Sequence, residues 1–316
     1  MTRRTPFSSA SPSASADDLL TTLGRLTAQA RQGAELHRAR VELAEALQRG
    51  MLPAELPAAP GLRTLALYAP ARDGLDIGGD WYDGFVLPDG TLGFCVGDVQ
   101  GHDVEAAAFM GQVRIGLRAT AAVARDPGEA LSRANDLLLS VGCGLFATCT
   151  FLRFDPVTRE LESARAGHTP AVWATADGGA GVAEDAGGLP LGIAPGERYP
   201  VTRRRLAGRW VLVLLTDGVV EGPSVPIEEG LARVVRLARA QAGAGCDLAE
   251  LAERVMAVAE STGHTDDAAV LILYHDGAPA VPTPSAVSGQ PEVPPVPPVP
   301  LAPTGPYGHL RPARPG

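Results

Sequence analysis

The segment WYDGFVLPDGTLGFCVGDV, residues 81–99, decides the fold class. Asp89 and Gly90 stand between two runs rich in strand-forming residues, a pattern typical of a tight β-hairpin. The segment FDPVTREL, residues 154–161, predicts a second hairpin. A hairpin joins antiparallel neighbours, whereas parallel strands need a crossover, usually a helix. The sequence therefore predicts an α+β fold with antiparallel sheets and helices laid on the outside.

Further strands and four helices are predicted along the same region. The strand-like runs are LRTLALYAP, LFATCTF, PAVWAT, YPVTRRRL, RWVLVLLTDG and AAVLILYH. Helical stretches are predicted at about 103–124, 127–140, 227–242 and 247–261. Because strands and helices do not alternate one by one, a β-α-β order is not predicted.

Composition divides the chain into four parts. Residues 1–16 are rich in Ser, Pro and Thr and are expected to be disordered, and residues 17–50 are expected to form an amphipathic helix. That helix either continues or breaks near Gly33, and it either packs on its own domain or couples it to a second copy or a sensor. Residues 51–277 are the expected compact domain. Residues 278–316, with 13 of the 28 prolines, are the expected disordered tail.

Composition also excludes several classes of function. The net charge is −9, and because phosphate binding requires a basic face, this acidic balance argues against a nucleic-acid partner. No apolar run reaches the roughly 18 residues of a membrane span, and the N-terminus lacks a secretory signal, so a cytoplasmic protein without membrane contact is expected. The four cysteines show no C-x₂-C spacing, so zinc ligands are not predicted, and three of them stand in apolar surroundings typical of buried thiols.

Carboxylates recur where apolar strands meet loops. The acids are Asp80 in IGGDWYD, Asp98 in CVGDVQGHD, Asp217 in VLVLLTDGVVEG, and Asp266 and Asp267 in GHTDDAAVLIL. Burying a carboxylate costs several kcal/mol unless a cation meets it, and basic residues are scarce around these segments. One such acid alone is more often a turn or a helix cap than a ligand. Several in one domain predict a hard divalent cation, Mg²⁺ or Mn²⁺.

Eight motifs carry a family resemblance. They occur in the order LQRGMLP, GGDWYD, GDVQGHD, FATCTF, AGHTPAV, LPLGI, LLTDGVVE and DDAAVLIL. Together they resemble the SpoIIE-type branch of the metal-dependent type 2C (PPM) protein serine/threonine phosphatases, over about residues 44–274. The resemblance implies a PP2C-like α-β-β-α sandwich of two antiparallel sheets flanked by helices, with an N-terminal helical extension.

The same resemblance implies a centre with two divalent cations, Mn²⁺ or Mg²⁺. Asp98 would bridge both cations, and Asp80 and the main-chain carbonyl of Val99 would bind one of them. Asp217 and Asp266 would bind the other. A water between the cations would attack phosphorus in line, without a nucleophilic Cys or Ser.

Three residues near these ligands have two interpretations each. His102 and His168 either assist proton transfer to the leaving oxygen or make structural hydrogen bonds beside the site. Asp103 stands where the family has glycine, and it either caps the following helix or contacts a metal-bound water or a further cation. The departure at Asp103 leaves every expected ligand in place. It therefore bears on how the substrate fits and how tightly the metal binds, and not on the class of reaction.

The resemblance also implies a substrate and a mode of control. The expected substrate is phosphoserine or phosphothreonine on a bacterial regulator, such as an anti-sigma-factor antagonist. The alternatives are a catalytically inactive module that keeps the fold, and a hydrolase of small phosphoesters, although no phosphate-cradling Gly-Lys loop is present. About 50 residues precede the domain, too few for a folded sensor, so an activator or a homodimer is expected to act through the N-terminal helix.

Overall fold

The structure is a computed structural model. It describes residues 16–70, 78–101, 104–142, 144–223, 225–243, 245–263 and 266–278. The disorder predicted for the two ends falls, for residues 1–15 and 279–316, outside the described residues. His102 and Asp103 lie outside them as well.

Six helices and ten strands make up the described part of the chain. The helices are α1 (Ala16–Met51), α2 (Val104–Ala121), α3 (Pro127–Val141), α4 (Asp217–Val220), α5 (Ile227–Gln241) and α6 (Leu248–Thr262). The strands are β1 (Leu62–Ala69), β2 (Trp81–Val86), β3 (Leu92–Val99), β4 (Ala147–Phe154), β5 (Glu160–Ala166), β6 (Val172–Thr175), β7 (Ala180–Val182), β8 (Thr202–Arg205), β9 (Arg209–Leu215) and β10 (Ala268–Asp276). The four helices predicted in the compact domain correspond to α2, α3, α5 and α6.

The strands form two five-stranded sheets in which every pair is antiparallel. The first sheet has the order β1-β10-β9-β6-β7 and the second the order β2-β3-β4-β5-β8. Both predicted hairpins are present: β2 turns into β3 at Gly90, whose φ of +84° suits glycine, and β4 turns into β5. The predicted antiparallel α+β architecture is confirmed.

The two sheets and the helices outside them stack in the order α-β-β-α, with an apolar layer at each of the three interfaces. One layer lies between the sheets, α2 and α3 cover the outer face of the second sheet, and α5 and α6 cover that of the first. Strand β9 contacts two layers: alternate residues from Val211 to Leu215 pack under helices, and those from Trp210 to Leu214 face the other sheet. A strand covered on both faces needs apolar residues throughout, which explains the unbroken run RWVLVLL.

Helix α1 is continuous through Gly33, so the alternative of two broken helices is wrong. The side chains of residues 20–35 are exposed, and Leu20, Leu23 and Leu26 are each exposed by more than half. At the end of the helix, Met51 packs on the domain and joins the layer under α2. None of the described helices combines the length and apolar content that crossing a bilayer requires.

Candidate functional site

The first hairpin brings Asp80 and Asp98 together. Asp80 directly precedes β2, and Asp98 is the last residue but one of β3. Since Trp81 pairs with Gly97, the start of β2 adjoins the end of β3. Each of the two carboxylates influences the pKa of the other. The two predicted ligands therefore lie side by side.

The remaining acids come from the first sheet. The end of β9 adjoins the start of β10, because Leu215 pairs with Val270. Asp217 begins α4 directly after this end of β9, and Asp266 and Asp267 stand just before β10. Their charges act on the pKa values of the first two acids. All four predicted carboxylates thus share one end of the sandwich, with Asp267 as a fifth.

Two glycines permit this crowding. A Cβ atom on Gly79 would lie 2.4 Å from the carbonyl oxygen of Val99, and one on Gly218 would lie 2.0 Å from that of Asp267. Any other residue at these positions would push the loops apart. The Val99 carbonyl, a predicted ligand, therefore lies against the loop that leads into Asp80.

Burial and mutual repulsion govern the charge state of these acids. Burial raises the pKa of Asp80 well above its usual value, and the charges of Asp98 and Asp267 raise it further. Burial, followed by the charge of Asp217, raises the pKa of Asp98 to about 7. The pKa of Asp217 is also raised, first by burial and then by Asp266. Each of these groups therefore favours a proton or a cation beside it.

Three of these acids have no arginine partner among the described residues. Between described residues, no ion pair includes Asp80, Asp98 or Asp217. Asp80 is only 3% exposed, and its Oδ2 atom has no hydrogen-bond partner in the part of the chain that the structure describes. A buried carboxylate oxygen without a donor is costly, and carboxylate oxygens are the ligands that Mg²⁺ and Mn²⁺ prefer. The chemistry of the donor set therefore fits a divalent cation.

The acids do not form a closed coordination shell. In the ranges that the structure covers, no three Asp, Glu, His or Cys side chains are gathered closely enough to enclose a metal ion. Repulsion between like charges is a physical reason for this open arrangement. Two further candidates, His102 and Asp103, lie outside those ranges. The assignment of individual ligands therefore stays a prediction.

His168 is buried against β4. Its Nδ1 atom lies 2.8 Å from the hydroxyl of Thr148, which is the register partner of Asp98. Burial, followed by the charge of Arg165, lowers the pKa of His168 to about 3, so the ring is neutral at neutral pH. A general acid needs a ring that carries a proton to donate near the working pH. The arrangement favours a positioning role over proton transfer.

Sequence analysis missed Asp83, the second acid of GGDWYD. Its carboxylate is fully buried; Arg118 donates to it from Nε and Nη2, both at 2.6 Å, and Arg114 donates from Nη1 at 3.4 Å. The Arg118 guanidinium also lies 4.8 Å from the centre of the Phe85 ring. The two arginines are four residues apart on one face of α2, a signal that could have predicted an acid opposite them. The ion pair fixes α2 to β2, next to the end that carries Asp80.

Asp266 and Asp267 differ in how far they are buried. Asp266 is exposed, whereas Asp267 is 1% exposed and its charge raises the pKa of Asp80. The backbone N–H of Asp267 donates to Oδ1 of Asp266 at 2.8 Å. The family resemblance selects the first acid as the ligand, while burial among the other acids marks the second. Both are therefore candidates.

The chain matches the profile of a known family. Residues 88–276 match the family described as Stage II sporulation protein E (SpoIIE). The matched range runs from the first hairpin turn to the end of β10 and includes Asp98, Asp217 and both acids before β10.

Two curated proteins are similar over part of their length. Phosphoserine phosphatase RsbU of Bacillus subtilis is 25% identical over 182 residues, which are 57% of this chain and 53% of RsbU. Protein IcfG of a Synechocystis species is 25% identical over 262 residues, 73% of this chain and 40% of IcfG. The chain thus spans about half of the first relative and less of the second.

Solved structures share the architecture. The RsbU and RsbW domains of Rv1364c from Mycobacterium tuberculosis match with a TM-score of 0.64 and 32% identity, over 72% of this chain and 64% of that one. The SiaA PP2C domain of Pseudomonas aeruginosa matches with a TM-score of 0.60 and 24% identity, over 79% of this chain and 99% of that one. The predicted PP2C-like sandwich is confirmed.

Proposed function

This chain belongs to the SpoIIE family, and on that premise we propose that it is a metal-dependent phosphatase of phosphoserine or phosphothreonine in a regulatory protein. The observation that carries the proposal is the buried Asp80 carboxylate, whose Oδ2 atom has no donor among the described residues and which stands beside Asp98. Two neighbouring carboxylates that no described arginine pairs with suit the divalent cations on which phosphoryl transfer depends.

The proposed ligands are Asp80, Asp98, Asp217 and Asp266, together with the main-chain carbonyl of Val99. When bound, Mn²⁺ or Mg²⁺ neutralises charge on phosphoryl oxygens and lowers the pKa of water. The chain itself holds the carboxylates in place, because each stands at the end of a hydrogen-bonded strand. We propose that Asp98, whose pKa responds to acids from both sheets, serves both cations.

Thiol chemistry has no place in this proposal. Cys95 and Cys149 are buried in the layer between β3, β4 and the helices, and contact with Cys149 together with burial raises the pKa of the Cys95 thiol. A thiol held protonated in a core is a poor nucleophile. Direct attack by water on phosphorus is the route that the described residues support.

The proposed substrate follows from the relatives. RsbU of B. subtilis is a phosphoserine phosphatase, and we extend that activity to this chain. We propose a phosphorylated regulator of the anti-sigma-factor antagonist type as the substrate, met in the cytoplasm. Control is proposed to act through α1, whose exposed Leu20, Leu23 and Leu26 offer an apolar face to an activator or to a second copy.

The test measures phosphate release by the full chain from p-nitrophenyl phosphate and from a phosphoserine peptide. We expect release that requires Mn²⁺ or Mg²⁺ and falls on the order of 100-fold or more in Asp98→Asn. The matched control is Asp177→Asn, which changes an exposed acid in the turn between β6 and β7 and is expected to retain activity.

Three results would overturn the proposal. Hydrolysis that persists in EDTA and in Asp98→Asn would remove the metal centre from the mechanism. Binding of Mn²⁺ without hydrolysis of either substrate would favour a non-catalytic module. Hydrolysis of the small ester alone, across a panel of phosphopeptides, would favour an enzyme of small phosphoesters.

A further inference from the structure

A second concave site lies away from the acids, between the two sheets. A cavity of about 400 Å³ opens where β5 and β8 of one sheet face β6 and β9 of the other. Its walls are largely apolar and include Leu152, Leu161, Ala171, Trp173 and Leu212. Volumes of roughly 300–1,000 Å³ with apolar walls are typical of small-molecule sites.

The charges that line this cavity are unbalanced. Arg165, Arg204, Arg205 and Asp185 are the charged residues in its lining. Asp185 is neutralised by Arg204, whose Nη1 donates to it at 2.8 Å. Arg165 instead donates to two main-chain carbonyl oxygens, those of His168 at 2.9 Å and of Asp185 at 2.7 Å. No ion pair between described residues includes Arg165 or Arg205, so the cavity carries net positive charge.

Buried donors in the lining lack acceptors. Three donor atoms of the lining are buried and have no hydrogen-bond partner among the described residues: Nε of Arg165, the hydroxyl of Thr150 and the indole Nε1 of Trp210. Thr150 and Trp210 are 5% and 2% exposed. Thr150 and Arg165 are direct register partners on β4 and β5, so their side chains stand on the same face of the sheet. A buried donor without an acceptor destabilises the structure, so a bound acceptor would be favoured.

We propose that this cavity binds a small apolar carboxylate, with the carboxylate on Arg165 and Thr150 and the apolar body between the sheets. A methylene group occupies roughly the volume of a liquid water, about 30 Å³, so an acid of about ten carbons fits the cavity. The site is separate from the acidic cluster, although Thr148, two residues before Thr150, pairs with Asp98. It therefore stands whether or not the chain is a phosphatase.

The test is a calorimetric titration of the full chain with decanoate in EDTA, where no cation can hold the carboxylate. The matched ligand is 1-decanol, which keeps the apolar body and lacks the charge. We expect decanoate to bind with a Kd below about 1 mM and at least tenfold more tightly than decanol. Asp98→Asn is expected to bind decanoate like the wild type, which separates this site from the metal centre.

Two variants locate the site. Arg165→Met is expected to weaken decanoate binding at least tenfold and to leave decanol binding unchanged, whereas Arg203→Met, on β8 but outside the cavity lining, changes neither. Ala171→Leu fills the cavity and is expected to abolish binding of both ligands. This second variant still tests the site if Arg165→Met fails to fold. The proposal is overturned if decanoate does not bind, if decanol binds as tightly, or if folded Arg165→Met or folded Ala171→Leu binds decanoate like the wild type.

Discussion

Asp80 and Asp83 belong to one motif and are buried three residues apart, yet the fold treats them in opposite ways. Asp83 meets Arg118 and Arg114 of α2, which neutralise its charge. Asp80 lies near other acids, and no described residue donates to its Oδ2 atom. Their exposures, 0% and 3%, are nearly equal, so the partners and not the depth distinguish them. A buried acid among arginines belongs to the scaffold, and one among acids is prepared for a cation.

Removal of the scaffold charge is expected to have the largest effect. Asp83→Asn leaves Arg118 and Arg114 without their carboxylate; because the Arg118 side chain is 37% exposed, we expect a cost of about 3 kcal/mol, the lower end of the range for a broken buried ion pair. The free energy of unfolding in urea measures this change. The control Glu229→Gln removes an exposed ion pair with Arg233, four residues along α5, and is expected to cost less than about 1 kcal/mol. Equal costs would contradict the distinction.

The corresponding change at Asp80 is expected to leave the stability of the fold intact and to remove most of the phosphatase activity. Asp80→Asn removes like-charge repulsion, so the free energy of unfolding in EDTA is expected to stay the same or to increase. Metal-dependent phosphate release is expected to fall on the order of 100-fold, about 2.7 kcal/mol. A loss of stability as large as that of Asp83→Asn would instead make Asp80 a scaffold residue.

The acidic cluster is also expected to make stability depend on pH. The folded-state pKa of Asp98 is about 7 against an ordinary value of 3.8, so the folded chain binds the extra proton between these values and loses stability as pH rises through them. The lowered pKa of His168 acts in the opposite direction below about pH 6.5, so the comparison must be with Asp98→Asn.

In EDTA, wild type is expected to lose on the order of 1–3 kcal/mol relative to Asp98→Asn between about pH 4 and pH 7, as measured in urea. Saturating Mn²⁺ is expected to restore the stability that the wild type loses at pH 7, because a bound cation replaces the proton. Parallel curves for the two proteins would show that Asp98 titrates normally.

The smallest expected effect separates the two acids before β10. If Asp266 is a ligand, Asp266→Asn lowers Mn²⁺ affinity at least tenfold, about 1.4 kcal/mol, and Asp267→Asn lowers it less. Calorimetric titration with Mn²⁺ measures both. The reverse order would make the buried Asp267 the ligand, in line with its depth.

The sequence predicted features that depend on neighbouring residues and missed those that depend on distant ones. The hairpin at Gly90 and the acids at strand ends are local patterns, and both are present. The partner of Asp83 lies 35 residues away on α2, so the motif alone does not show whether its charge is met. Strand β7 has three residues and α4 has four, too few for a periodic pattern. The shared location of the acids follows from sheet order, which the family resemblance implied but no local pattern contains.

The two apolar faces of β9 and β10 have a consequence for the chain once it unfolds. RWVLVLL and AAVLILY are buried only while both sheets and the helices over them are in place. Unfolded, each offers a run of strand-forming residues without proline and with at most one charge, which is the composition of cross-β aggregates. Strand β10 pairs with β1, about 200 residues earlier, and such long-range pairing forms slowly. We therefore expect heated protein to scatter light and fail to refold, while urea keeps unfolding reversible.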